Sequence, residues 1–216
     1  MKNYKFTFFG LFLSYFSIVL TGVFFKTLFG VPLSNELTIF RELIIFCLVG
    51  LLFWIIITKE ALGLSSIGIS KSTWKHTIIW AIITGVFCLA GSVACLLIIQ
   101  ALGWEYGKSQ SSVKLSLLTT TLVMLRAGIA EEVFFRGYIY ERLTIILKNK
   151  WIAVAFSLIP FALLHYSQGL PGMFISLVLG GILTAMYLWK RNLKANMIAH
   201  FLIDFTPNVL IPALIS

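Results

Sequence analysis

Two adjacent carboxylates and a guanidinium stand in the stretch "AGIAEEVFFRGYIYERL" at residues 127–143 of an otherwise apolar chain. In an α-helix Glu132 and Arg136 are i,i+4 neighbours on one face, so we expect them to form an ion pair. Glu131 points about 100° away from Glu132 and is left for another role. A buried ion pair that only fixes helix packing would explain Glu132 and Arg136, but it gives no reason for Glu131.

Two histidines lie in similar apolar surroundings further along the chain. In "FSLIPFALLHYSQG" His165 is near the end of a hydrophobic run, with Phe161 one helical turn before it on the same face. In "NLKANMIAHFLIDFTPN" His200 and Asp204 are again i,i+4 and point the same way. Ionisable residues inside hydrophobic segments usually face a polar interior and serve a function. We therefore take these residues together as a candidate site.

The chemistry open to this set is acid–base or metal-assisted. A carboxylate and imidazoles that converge on one cavity bind and deprotonate a water molecule. Glu131, His165 and His200 are also a plausible zinc set that leaves a fourth coordination position for water. Either arrangement hydrolyses an amide, whereas a proton-coupled transporter would use the same residue types as a relay. Spacing alone does not separate these interpretations.

The composition indicates a polytopic membrane protein. Of 216 residues, 59% are hydrophobic and only 12% are charged, whereas a soluble domain is about half apolar and a quarter charged. The net charge of +9 has no basic, aromatic-interleaved soluble segment to carry it, so we predict no nucleic-acid partner. Its expected use is to orient helices against the cytoplasmic leaflet of the lipid bilayer.

The hydrophobic stretches predict an all-α fold, a polytopic transmembrane helical bundle of about seven spans. A spanning helix needs about 20 mostly apolar residues, and a backbone in lipid must satisfy its own hydrogen bonds. The predicted spans are 6–29, 37–58, 77–101, 114–138, 151–168, 172–189 and 195–214.

Basic residues predict the orientation of these spans. Alternate connections carry most of them: Lys2, Lys5, Lys59, Lys71, Lys75, Arg142, Lys148, Lys150, Lys190, Arg191 and Lys194. The positive-inside rule then places the N-terminus in the cytoplasm.

Three ordered motifs on successive apolar segments resemble a known family. "EEVFFRG", "FALLH" and "HFLID" are similar to the motifs EExxxR, FxxxH and HxxxN/D. These mark the CPBP family of intramembrane proteases, also called Abi, which includes type II CAAX prenyl endopeptidases and bacteriocin-immunity proteins. The resemblance covers roughly residues 116–208. It implies that residues 1–110 hold N-terminal membrane spans and that residues 111–216 form the catalytic membrane core.

The resemblance also implies roles for individual residues. Glu131 corresponds to the catalytic glutamate, His165 to the histidine that helps it activate water, and His200 to the histidine placed to stabilise the oxyanion. Asp204 stands where the endopeptidases usually have Asn, and an ionised Asp cannot donate a hydrogen bond to an oxyanion. It would instead orient His200, bind a metal or stay protonated. The supporting residues implied are Glu132, Arg136 and Phe161.

The resemblance favours an intramembrane endopeptidase that acts near the cytoplasmic half of a bacterial cell membrane. Its partner would be a membrane-associated peptide or protein substrate. The family is commonly labelled metalloprotease, but a metal-free glutamate mechanism has also been argued. The cofactor is accordingly either none or zinc held by His165, His200 and Glu131. Two alternatives remain, a non-proteolytic membrane immunity or regulatory scaffold and a proton-coupled transporter.

Overall fold

The computed structural model describes residues 4–69, 71–105, 115–211 and 214, and within them every regular element is helical. The predicted all-α bundle is therefore confirmed. We number its helices in chain order: α1 Tyr4–Phe29, α2 Asn35–Lys59, α3 Trp74–Ala101, α4 117–147, α5 Lys150–Leu163, α6 Gly169–Lys190 and α7 193–210.

Each of the predicted spans overlaps one of these helices, but the helices differ in their fitness to cross a membrane. Among the described residues, four helices are long and apolar enough to span a membrane. They are α1, α2, α3, and α6 taken together with the short helical turn before it, Tyr166–Lys190. By contrast, α5 has 14 residues, fewer than the roughly 20 that a spanning helix needs. α4 continues to residue 147 rather than ending near 138, and it carries the charged residues of the candidate site.

Polar side chains start most of these helices by accepting a hydrogen bond from a backbone N–H of the first turn. This capping satisfies donors that have no partner within the helix. The capping residues are Ser34, Thr73, Ser116, Asn149 and Asn192.

Helix α4 is the centre of the bundle and packs against α1, α2, α5 and α7. Its middle, Ala127–Ile139, is π-helical, so its backbone hydrogen bonds span five residues instead of four. Val133, Phe134 and Tyr138 in this segment have no exposed surface. Insertions of π-helix occur frequently at functional sites, and this one contains both glutamates of the predicted site.

Polar contacts join the ends of several helices at one end of the bundle. Glu60, which follows α2, accepts hydrogen bonds from Thr7 of α1 at 2.8 Å and from Nε of Arg142 of α4 at 2.9 Å. Arg191, which follows α6, pairs with Glu141 of α4 at 2.9 Å. Basic connections that the sequence predicts to be cytoplasmic therefore meet at a common end.

Glycine brings α6 close to the centre of the bundle at one position. A Cβ on Gly180 would lie 2.8 Å from the Phe161 ring and 2.9 Å from Nη2 of Arg136. A Cβ on Gly181, the next residue, would meet only Leu158, at 3.9 Å. Close approach of the helices therefore requires glycine at 180 but not at 181.

Candidate active site

A buried carboxylate, Glu132, lies at the centre of the polar site. Its side chain is 0% exposed, and Oε1 accepts a hydrogen bond from Nη1 of Arg136 at 2.8 Å. Both residues belong to the π-helical part of α4, four positions apart, as the sequence spacing predicts. A carboxylate and a guanidinium buried this deeply need each other, because either charge alone is costly in a poorly hydrated interior.

Arg136 uses its remaining donors to join α4 to α5 and α6. Its Nη2 donates to the carbonyl of Gly180 at 3.0 Å, and Nε donates to the hydroxyl of Thr184 at 3.3 Å. The guanidinium carbon lies 4.1 Å from the centroid of the Phe161 ring, a cation–π distance. Each of the three guanidinium nitrogens thus has a hydrogen-bond partner, and contacts with α4, α5 and α6 fix its orientation.

Helix α7 adds two polar side chains, one turn apart, to Glu132. Nδ1 of His200 lies 2.9 Å from Oε1 of Glu132, and the amide of Asn196 donates to Oε2 at 3.2 Å. Because a carboxylate only accepts, this contact places a proton on Nδ1 of His200. Asn196 also donates to the carbonyl of Leu183 at 2.8 Å, which ties α7 to α6.

The second ring nitrogen of His200 faces two further carboxylates. Nε2 lies 4.0 Å from Oε2 of Glu131 and 3.5 Å from Oδ2 of Asp204. Glu132 therefore orients the imidazole from one side and directs Nε2 towards Glu131. The i,i+4 spacing of His200 and Asp204 brings them within reach of each other, as their sequence positions predict.

The α-helical spacing gives Glu131 no charged partner, but in the structure Arg126 pairs with it. Nη1 of Arg126 donates to Oε1 of Glu131 at 2.7 Å, across five residues of α4. The α-helical prediction considered only neighbours at i,i+4, whereas the π-helical segment changes which residues meet. The other oxygen, Oε2, is buried and has no hydrogen-bond partner among the described residues.

The charges behind Arg126 are the part of the site that the sequence interpretation missed. Nε of Arg126 donates to Oε2 of Glu42 at 2.5 Å, and Oε1 of Glu42 accepts a hydrogen bond from Nε of Arg41 at 2.8 Å. Glu42 has no exposed surface although it belongs to a hydrophobic helix, α2. An ionisable residue inside a hydrophobic segment was the available signal, but its partner 84 residues away has no signature in spacing.

His165 lies beyond the last residue of α5, at the turn towards α6. Its side chain is half-buried, and Nδ1 is 3.2 Å from the carbonyl of Phe161. The Phe161 ring is 5.5 Å from the His165 ring and 6.1 Å from the His200 ring, centroid to centroid. The Phe161 ring therefore lies between His165 and His200. Within the described residues His165 makes no hydrogen bond or ion pair with either glutamate.

The zinc arrangement predicted as an alternative is not assembled. In the part of the chain that the structure describes, no group of three or more His, Cys, Asp or Glu side chains is placed to hold a metal ion. His165, the third residue of the predicted zinc set, has Nδ1 at 3.2 Å from the carbonyl of Phe161 and makes no hydrogen bond or ion pair with Glu131 in the described part of the chain. The side chains as they lie do not fit a zinc ion, so we derive no chemical step through one.

Fold and site together define an integral membrane protein with a buried centre of carboxylates and histidine. Residues 113–206 match the family model described as type II CAAX prenyl endopeptidase Rce1-like. The predicted resemblance is thereby confirmed over these residues. All three motifs, from Glu131 to Asp204, lie inside the matched residues. No curated protein and no solved structure matches the chain.

Proposed function

We propose that the protein is an intramembrane endopeptidase that hydrolyses a peptide bond with a water molecule activated by Glu131 and the histidines. One observation carries the proposal. Oε2 of Glu131 is buried without a hydrogen-bond partner among the described residues, while Oε1 is held by Arg126. A buried acceptor without a hydrogen-bond partner destabilises the folded protein, so its presence indicates a function. Accepting a proton from water is such a function.

The distance between Glu131 and His200 suits a shared water. Oε2 of Glu131 and Nε2 of His200 are 4.0 Å apart, too far for a direct hydrogen bond. A water at about 2.8 Å from both atoms would have an angle of about 90° between its two contacts. This geometry supports a single water bound by a base and an imidazole.

In the proposed reaction Glu131 takes one proton from that water as the water oxygen attacks the peptide carbonyl carbon. The carbonyl oxygen becomes an oxyanion, and the Nε2–H of protonated His200 shifts its hydrogen bond from the water oxygen to this oxyanion. The C–N bond then breaks, and Glu131 returns its proton to the departing amine nitrogen. His165, at the turn after α5, is proposed to assist Glu131 in activating water, and Asp204 to orient His200.

The proposed substrate is a membrane-associated peptide or protein, cut near the cytoplasmic half of the bilayer. The family description names a prenyl endopeptidase, so prenylated and unprenylated peptides are both to be offered. The meeting of basic connections at one end of the bundle supports an orientation with that end, and the N-terminus, in the cytoplasm. Pheromone maturation, bacteriocin immunity and control of membrane regulators are all compatible with such an activity.

The test uses purified protein in lipid vesicles and a library of prenylated and unprenylated membrane peptides read by mass spectrometry. We expect cleavage by the wild type and by Glu105→Gln, which changes an exposed carboxylate. Glu131→Gln keeps the size of the side chain but removes the base, so cleavage should fall by about 10²- to 10⁴-fold. Full cleavage by Glu131→Gln would overturn the proposed mechanism, whereas no cleavage of any peptide by the wild type would favour the non-proteolytic scaffold.

A further inference from the structure

Glu42 is a carboxylate of α2 that binds two arginines with its two oxygens. Oε1 accepts from Arg41 at 2.8 Å, and Oε2 accepts from Nε of Arg126 at 2.5 Å. Glu42 is fully buried, and the Arg41 side chain is 26% exposed. Helix α2 lies outside residues 113–206, the part of the chain that matches the protease family.

Arg126 connects this carboxylate to the site. Its guanidinium donates through Nε to Glu42 and through Nη1 to Oε1 of Glu131, at 2.7 Å. The side chains of Arg41, Glu42, Arg126 and Glu131 thus form a row of alternating charges that runs from α2 to the candidate base. A planar guanidinium held at Nε by one carboxylate and at Nη1 by another has little rotational freedom, so the contact with Glu42 fixes which nitrogen faces Glu131.

We propose that Glu42 is a positioning residue for Glu131, acting through Arg126. The inference rests on the proposed function and extends its site to a helix outside the family match. With Glu42 in place, Arg126 binds a single oxygen of Glu131 and leaves Oε2 directed towards His200. Without Glu42, Arg126 is free to turn and to bind both oxygens of Glu131 in the bidentate geometry that guanidinium and carboxylate favour. Oε2 would then no longer be available as a base.

A purely structural role for Glu42 predicts a different outcome. If the ion pair only joined α2 to α4, its loss would lower the amount or the thermal stability of folded protein, and the folded fraction would keep its turnover. A positioning role lowers turnover in the folded fraction itself. Outer contacts that orient a catalytic group typically account for about 10- to 100-fold in activity, and small displacements of a reacting group have effects of that size.

The experiment measures kcat and KM of size-exclusion-purified protein in vesicles with a peptide cleaved by the wild type. We expect Glu42→Gln to lower kcat by about 10- to 100-fold and to leave KM nearly unchanged. Glu36→Gln, an exposed carboxylate on the same helix, is the matched control and should behave as the wild type. Glu42→Asp keeps the charge but shortens the side chain. It should fold even if Glu42→Gln is unstable, and it should show an intermediate loss of kcat.

A double-mutant cycle tests whether Glu42 acts through Arg126. In an Arg126→Gln background, Glu42→Gln should cause no further loss, because the connection is already broken. Multiplying losses would overturn the inference, and so would a wild-type kcat for folded Glu42→Gln and Glu42→Asp. In either case a strong effect of Glu131→Gln would leave the proposed function standing. If Glu131→Gln is itself fully active, the proposed function fails, and the positioning role fails with it.

Discussion

Arg126 donates a hydrogen bond of 2.7 Å to one oxygen of Glu131, and the other oxygen lies 4.0 Å from Nε2 of His200. The two oxygens of one carboxylate therefore have separate surroundings. One is tied to a cation, and the other faces an imidazole. Glu132, its neighbour, has both oxygens engaged by Arg136, His200 and Asn196. The adjacent glutamates thus differ in what they have free to bind, which supports different roles.

Glu132 is expected to be a structural requirement. Glu132→Ala would leave Arg136 buried without its carboxylate and Nδ1 of His200 without its acceptor, which costs about 3–5 kcal/mol. The yield of membrane-inserted protein and its melting temperature should fall, while Glu105→Ala, at an exposed position, should leave both unchanged. Normal yield and melting with activity alone lost would identify Glu132 as the chemical carboxylate instead of Glu131.

A side chain at residue 180 is expected to destabilise the protein. The Cβ of Gly180→Ala would lie 2.8 Å from the Phe161 ring and 2.9 Å from Nη2 of Arg136, so these buried side chains must shift. Such overpacking costs about 1–3 kcal/mol, which thermal melting in detergent would detect. Gly181→Ala is the matched control, because its Cβ meets only Leu158 at 3.9 Å. Equal melting of the two variants would contradict the close packing at residue 180.

Asp204 is expected to act through its oxygen on His200. Asp204→Asn keeps an oxygen near Nε2, at the 3.5 Å position of Oδ2, and should retain turnover within about 10-fold of the wild type. Asp204→Leu removes the contact and should lose about 10- to 100-fold, the equivalent of one hydrogen bond to a charged group. Steady-state kinetics on the cleaved peptide decides this. Equal turnover of the two variants would show that Asp204 does not orient His200.

Chelation provides a test of the zinc alternative. Since the described side chains are not placed to hold a metal ion, we expect a strong chelator to leave peptide cleavage unchanged. A zinc-dependent peptidase treated in the same way serves as the positive control. Loss of activity that added zinc restores would contradict this expectation and favour His165, His200 and Glu131 as ligands.

The sequence by itself determined the class of fold and the polar contacts made within single helices. Hydrophobic stretches predict helices in a membrane because lipid offers the backbone no hydrogen-bond partners. Neighbours at i,i+4 on one helix, such as Glu132 with Arg136 and His200 with Asp204, follow from local geometry alone. The ordered motifs then indicated the family, and the family model over residues 113–206 confirmed it.

Only the tertiary structure decided which charges meet across helices. The contact of Glu42 with Arg126 joins residues 84 positions apart, and such a distance carries no periodic signal. The pairing of Arg126 with Glu131 depends on a π-helical segment, whose five-residue hydrogen bonds are not encoded by hydrophobic spacing. The packing of α2 and α7 against α4 selects these partners. For this reason the sequence indicated Glu131 as a candidate residue, but only the fold showed which side chains surround it.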